Sequence, residues 1–396
     1  MRTLDTLNAE GKRVLVRVDF NVPTQGEEVL DDQRIVESLL TLQELRKEGA
    51  KVILLSHRGR PKGERDHSLS LKPLLSVLER HLGEQVFFFP EAVGDLVQQF
   101  VKTLRKGEIV LLENIRFYKG EEANDPQFSA QLAALADVYV NDAFSVSHRA
   151  HASVEGVTHY LPSYAGRLME RELMMLERTL HHPQRPFMAI IGGAKISTKL
   201  ALLQNLATQV DKLAVVGAMA HTFLEALGHG VGESLVEKEL IPEAQKILTL
   251  LQERQVELIL PEDMVVASCL EANVPTHIVN KGGVPSDQMI LDAGPLTRHS
   301  IMSAVDASKT LIWNGALGIT EIPPFDGGTV EVARHVALRT QQNKLVSVVG
   351  GGDTVSALKQ AGSLEDFTYV SMAGGAFIEW VEGRSLPGVD ALKKGR

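Results

Sequence analysis

The chain has 396 residues, a length that favours two domains over one. Hydrophobic residues make up 44% and charged residues 23%, the balance of an ordinary globular protein rather than a disordered one. A net charge of −9 with no basic tail argues against a general nucleic-acid binder, and no run of about eighteen apolar residues offers a membrane span. The start of the chain has no apolar signal region, so a cytoplasmic enzyme is the expectation. The one cysteine, Cys269, cannot form an internal disulfide and reads as a small core filler.

Short β-branched runs alternate with helical stretches from the beginning. Arg13–Val18 leads to Asp19-Phe20-Asn21, Lys51–Leu55 to Ser56-His57-Arg58-Gly59-Arg60-Pro61, Glu108–Leu112 to Glu113-Asn114-Ile115-Arg116, and Asp137–Val140 to Asn141-Asp142-Ala143-Phe144. Near-continuous apolar strands predict a parallel sheet covered on both faces, which binds ligands beyond its carboxyl ends. Here those ends carry Asp, Asn, His and Arg, suited to a small hydroxylated anion. Next comes a helical stretch over roughly Ser163 to Leu180. Met169, Leu173, Leu176 and Leu180 follow helical spacing, and His181-His182-Pro183 ends it. It reads either as a hinge helix joining two lobes or as an ordinary packing helix.

The second half repeats the alternation with glycine-rich strand ends. Phe187–Ile191 leads to Gly192-Gly193-Ala194-Lys195, Lys212–Val216 to Gly217-Ala218-Met219, and Thr310–Trp313 to Asn314-Gly315-Ala316-Leu317-Gly318. Leu345–Val349 leads to Gly350-Gly351-Gly352-Asp353-Thr354, and Tyr369–Ala373 to Gly374-Gly375-Ala376. Strand, glycine turn and helix present bare N–H groups to phosphate. The predicted fold is α/β: two Rossmann-like lobes, each a parallel sheet with helices on both faces. The predicted boundaries are residues 1–165, a linking helix over 166–182, and residues 183–379.

Familiar phosphate signatures are missing. There is no G-x-x-x-x-G-K-[ST] motif, and the first strand lacks a G-x-G-x-x-G turn. Asp353 is placed to hold Mg²⁺, which accepts one or two carboxylates plus phosphate oxygens. Lys195 and Lys199 are predicted on the first turn of one helix, facing one side. Cations there oppose the helix dipole unless an anion binds; solvated surface lysines are the alternative. Arg34, Arg58, Arg60, Lys62, Arg65, Arg116 and Arg149 form the candidate anion grip, because guanidinium matches phosphate and carboxylate. His148 and His151 lack the carboxylate or thiol partners of a metal site. Ser56, Ser145 and Ser197 lack a nucleophile motif such as G-x-S-x-G.

Taken in order, these stretches resemble the phosphoglycerate kinase family over nearly the whole chain. The resemblance is carried by Arg17–Pro23, Ser56–Gly63, Glu113–Phe117, Asn141–Phe144, His148–Ser153, Gly192–Lys195, Trp313–Gly315, Gly350–Thr354 and Gly374–Ala376. It implies reversible phosphoryl transfer between 1,3-bisphosphoglycerate and ADP, giving 3-phosphoglycerate and ATP, with Mg²⁺. It implies that Asp19 and Asn21 bind the glycerate end, with Arg34, His57, Arg60, Arg116 and Arg149 around 3-phosphoglycerate. Arg34, Lys195 and Lys199 are the implied catalytic set. Lys199, Asn314, Glu321 on the ribose, Gly350, Gly351, Gly352, Asp353, Thr354, Gly374 and Gly375 are the implied nucleotide set. The family also implies a monomer whose last residues, about 380–396, return to the N-terminal lobe. The chain departs from the usual family pattern at Thr198, at Ser371–Ala376, at Ala218 and nearby His221, at Gly315–Glu321, and at Ser145-Val146-Ser147. The rival readings are a catalytically weak relative that binds nucleotide and serves as an interaction or regulatory protein, supported by the altered glycine turn, and a different small-acid kinase on the same scaffold.

Overall fold

Strands buried on both faces set the architecture. In the computed structural model, which describes residues 1–394, six strands of the first unit lie in the order Val86–Phe89, Ile109–Leu112, Lys51–Leu55, Arg13–Arg17, Val138–Asn141, Ser163–Ala165. All five pairings are parallel. Successive side chains of a strand point to opposite faces. Val14 and Val16 accordingly join one apolar cluster with Val52, Leu54 and Leu111, whereas Leu15 joins another with Ile53, Val110 and Tyr139. Each face therefore has its own core, and the apolar strands have no solvent side.

The second unit repeats this plan in the order Glu257–Ile259, Lys212–Val215, Phe187–Ile191, Thr310–Asn314, Val346–Gly350, Tyr369–Ser371, again all parallel. Trp313 lies fully buried in its core, with Met188, Ile190 and Val349. A small antiparallel sheet of His277–Asn280, Asp263–Ala267 and Met289–Ala293 is added, which the apolar periodicity did not reveal. In both large sheets the earliest strand has later strands on either side of it. That is the switch point where helices diverge and a crevice opens at the carboxyl edge.

Contacts group Met1–Met174 with the stretch from Ser385 onward, and Met175–Arg384 as the other unit; the division falls inside the helix Arg167–Leu180. The helix Pro387–Lys394 belongs to the first unit, where the Gly388 N–H donates to the Ser147 carbonyl at 2.9 Å.

Two expectations need correction. Ser163–Ala165 is a strand paired with Tyr139–Asn141, so the helix begins only at Arg167. Asp142 explains the late start. Its Oδ1 accepts the N–H groups of Leu168 at 2.9 Å and Met169 at 3.4 Å, and any side chain at Gly166 would collide with its carboxylate. Lys195 and Lys199 do not share a helical turn. A 3₁₀ turn, Ile196–Thr198, intervenes, and Lys199 caps the helix Leu200–Leu206. The Ser197 hydroxyl and N–H are held by Glu237 at 2.6 and 3.0 Å, which ties that turn down.

Burial pushes the Asp142 carboxyl up to about 7, although the Leu168 and Met169 amides favour its charged form. A carboxyl whose folded value is raised holds its proton longer in the fold than in the unfolded chain. Its contribution is therefore lost as pH rises from about 4 to about 7. Asp142→Asn keeps the acceptor oxygen but has no proton to lose. Relative to the unaltered chain, the variant should gain on the order of 2 kcal/mol between pH 4.5 and 7.5 in denaturant unfolding. Parallel pH profiles for the two chains would refute a neutral, buried Asp142.

Candidate active site

The carboxyl edge of the first sheet collects polar groups from several strand ends. Asp19 is buried just beyond the strand Arg13–Arg17 and ion-pairs with Arg34. The same carboxylate accepts the Ser145 hydroxyl at 2.6 Å and the Asn21 N–H at 3.1 Å. Burial alone would raise its pKa, but the Arg34 charge and these hydrogen bonds outweigh burial and hold it below the ordinary carboxylate range. Exposed Asn21 accepts the Gly59 N–H at 2.9 Å, linking the first loop to the loop after the Lys51–Leu55 strand.

His57 is buried, and its Nδ1 lies 3.1 Å from Arg17 Nη2. Arginine can only donate, so Nδ1 accepts and the ring proton sits on Nε2. Burial, then the positive charge of Arg17, holds His57 well below its usual pKa, so the ring is neutral at pH 7. Arg17 is fully buried within a strand. Its Nε donates to Ser153 Oγ at 2.9 Å, and that hydroxyl donates to the buried Glu121 carboxylate at 2.6 Å. Burial raises the Glu121 pKa, and Arg17 opposes the rise.

Arg116 donates to the Gly59 carbonyl at 2.8 Å and lies 3.5 Å from Glu122. Burial, then repulsion from Arg17 with a further contribution from Arg149, lowers it to about 10. Half-buried Arg149 touches His148 at 3.1 Å, whereas Arg60 is exposed. Burial and then the neighbouring arginines Arg116, Arg17 and Arg149 push His151 down to about 3. So much like charge in one place is stabilised by an anion. Two arginines of the sequence set are spent elsewhere. Arg58 is buried on the Ser70 carbonyl and the Thr24 hydroxyl, and Arg65 pairs with Glu91 at 2.8 Å. Sequence reasoning missed Arg17, Ser145, Glu121 and Ser153 as site-building residues. Only Arg17 carried a signal: a charge inside an otherwise apolar strand.

In the second unit the glycine turns meet at the carboxyl edge. Gly351, at φ 102°, caps the helix Gly352–Gln360, and a β-carbon there would strike the Asn314 amide. Asn314 is buried, donates to the Gly350 carbonyl at 2.6 Å, and accepts from the Lys199 ammonium. Thr354 Oγ1 accepts the Gly315 N–H at 2.6 Å, locking two strand ends together. Burial lowers the Lys199 pKa to about 8, against the pull of Asp353. Asp353 is exposed on the first helical turn, and Lys195 is exposed as well. Gly374, at φ 56°, caps the short helix Gly375–Val381. A cavity of about 180 Å³ touches Gly193, Val216, Ala218, Leu317, Glu321 and Asp353. Asn314 is therefore the hub of this edge, joining the lysine to the glycine turn. Among the described residues, no three His, Cys, Asp or Glu side chains converge as a metal cage, and no helix is long and apolar enough to cross a membrane.

The family profile described as phosphoglycerate kinase matches residues 4–384. A phosphoglycerate kinase of Brucella abortus is 54% identical over 393 residues, covering 99% of both chains. One of Sinorhizobium medicae is 52% identical over 396 residues, covering 100% of this chain and 99% of its own. The solved structure of phosphoglycerate kinase from Coxiella burnetii is 38% identical, with a TM-score of 0.92 over 99% of this chain and 98% of that one. The structure from Pyrococcus horikoshii is 26% identical, with a TM-score of 0.83 over 99% of this chain and 98% of that one.

Removing Arg17 would strip Glu121 of its compensating charge. Arg17→Met should cost about 3 kcal/mol in urea unfolding, because the remaining carboxylate is buried without its partner. Adding Glu121→Gln should restore part of the loss. Equal stability of the single variant and the unaltered chain would contradict the pairing.

Proposed function

This chain belongs to the phosphoglycerate kinase family, and from that premise we propose how its own residues divide the work. In this reading the activity is phosphoryl transfer with a carboxyl group as acceptor, between 1,3-bisphosphoglycerate and ADP, in glycolysis and gluconeogenesis. In the proposed assignment, Asp19 and Asn21 receive the hydroxyl and carboxyl end of 3-phosphoglycerate. His57, Arg60, Arg116 and Arg149 surround its phosphate, and Arg34 reaches toward the group in transfer. The neutral His57 donates from Nε2, the tautomer that Arg17 imposes.

On the nucleotide side, Gly350–Thr354 and Gly374-Gly375 offer helix-terminal N–H groups to the phosphates, Asn314 fixes Lys199, and Glu321 takes the ribose. Lys195 and Lys199 supply positive charge to the transferring group. The exposed Asp353 carboxylate at the helix N-terminus suits Mg²⁺, which needs only one protein carboxylate when phosphate oxygens complete its shell. Bound there with the nucleotide, the ion would neutralise phosphate charge.

The acceptor is a carboxylate, ionised at neutral pH, so the reaction needs no general base. Alignment and neutralisation of charge spread over the phosphoryl oxygens remain, and fixed cations with helix amides provide both. A phosphoryl group passes only between atoms in contact, so the reading requires the substrates of the two units to meet during turnover. Excluding water then protects the acyl phosphate from hydrolysis. The observation that carries the assignment is the Lys199–Asn314–Gly350 chain of hydrogen bonds, which anchors a cation beside a glycine-capped helix.

A coupled assay with 3-phosphoglycerate and Mg·ATP tests it. Lys199→Ala and Arg34→Ala should each lower kcat at least about 100-fold, the scale of one lost charge-stabilising group. Full turnover in either variant would reject its role. Turnover only with another small acid would reject the glycerate assignment.

The lowered Lys199 pKa gives a second test. The ammonium loses its charge as pH rises through about 8, so kcat/KM for the nucleotide should fall above that pH. Lys199→Arg should move the fall to higher pH. A flat profile to pH 9.5 in the unaltered chain would contradict a phosphate-binding Lys199.

A further inference from the structure

Among the side chains that line the second unit's cavity and are unused by the phosphate and ribose assignments, His221 is a buried imidazole. His221 lies in the first turn of the helix Met219–Ala226, is 3% exposed, and lines that cavity with Val216, Ala218, Met264, Ile290 and Leu317. Asp353 marks the phosphate end of the same cavity and Glu321 its ribose end, which leaves this apolar wall for the base. That orientation rests on the proposed nucleotide reading.

The ring is fixed from behind. Its Nδ1 lies 3.1 Å from the Leu235 carbonyl, and the segment carrying that carbonyl is tied to the same helix by the Glu237 N–H on Thr222 Oγ1 at 3.3 Å. A carbonyl can only accept, so Nδ1 carries the proton and Nε2 presents a lone pair. Burial pushes the ring down to about 4, with the Leu235 bond opposing, so it is neutral at pH 7. Nε2 has no hydrogen-bond partner among the described residues, and it is not among the polar atoms sealed from solvent. It therefore opens on the cavity that the residue lines.

We propose that His221 is the specificity-determining residue for the nucleotide base, accepting a hydrogen bond from a 6-aminopurine and rejecting a 6-oxopurine. Against adenine, Nε2 gains an N–H donor in an apolar slot. Against hypoxanthine or guanine, it faces the lone pairs of a carbonyl oxygen, and both acceptors lose their water without a replacement. Val216, Met264, Ile290 and Leu317 have no hydrogen-bonding side-chain group; Asp292 on the same lining is committed to the Gly328 N–H and Arg298, and the Thr320 hydroxyl, able to donate or accept, suits either base.

The test compares kcat/KM for ATP, ITP and purine riboside triphosphate, with 3-phosphoglycerate as acceptor. The unaltered chain should favour ATP over ITP by at least about tenfold, with the unsubstituted purine between them. His221→Phe keeps a flat ring without the acceptor, and His221→Gln offers either an oxygen or an amine. Both should bring the ATP:ITP ratio to within about threefold, mainly by loss of ATP preference. Calorimetric titration of ADP and IDP reads the same discrimination without turnover, so it separates the two claims. A chain that discriminates ADP from IDP through His221 but does not turn over would sink the functional reading alone. A ratio near one in the unaltered chain, or one unmoved in both variants by either measurement, overturns the inference about His221.

Discussion

A parallel sheet covered on both faces leaves its carboxyl edge as the place where side chains and turn amides can meet a ligand. Everything else in both units follows from that constraint. Val14 and Leu15 are adjacent yet pack into different cores, so the strand spends its apolar side chains on folding. The polar groups come immediately after it: Asp19 from the first strand, His57 from the next, Asn314 and Gly350 in the other sheet. Partners from other elements hold them, Arg34 and Ser145 on Asp19 and Arg17 on His57, and the Asn314 to Gly350 and Thr354 to Gly315 bonds join neighbouring strand ends.

The two edges offer an anion different materials. The first uses guanidinium and imidazole groups whose proton affinity is lowered by burial and then by one another's charge, with Glu121 buried behind them. Such a cluster favours a compact anion that can touch several side chains at once. The second uses backbone, because glycines at positive φ let N–H groups approach a phosphate without a β-carbon in the way. A long polyphosphate suits it better, since amides arrayed along successive turns reach more of it than a few long side chains would.

Much of this was legible in the residues. The strand order was not written in the sequence, but apolar runs ending in Asp, His, Arg or glycine turns were, and those ends lie at the carboxyl edges of the two sheets. What escaped notice had physical reasons. Arg17 counts in the sequence only as part of the strand Arg13–Val18, because nothing local reveals that its partners are Ser153 and His57, far along the chain. Arg58 and Arg65 looked equivalent to Arg60, but only tertiary contacts show that the first two are committed to Ser70, Thr24 and Glu91. The strand at Ser163–Ala165 was absorbed into a helix because three residues carry too little periodicity to be told apart from a helical start. The small antiparallel sheet was missed for a related reason: the strand His277–Asn280 is mostly exposed and lacks an apolar run. Lys195 and Lys199 have helical spacing, yet the Glu237 grip on Ser197 imposes a tighter turn between them.

The account stands on the division of labour between the two carboxyl edges. A crystal structure with 3-phosphoglycerate and a non-transferable Mg·ATP analogue tests it most directly. The account predicts the glycerate phosphate among His57, Arg60, Arg116 and Arg149, and the triphosphate against the N–H groups of Gly351–Thr354 with the ion on Asp353. A glycerate anion bound away from those four side chains, or a triphosphate that leaves the Gly352–Gln360 helix N-terminus untouched, would contradict it.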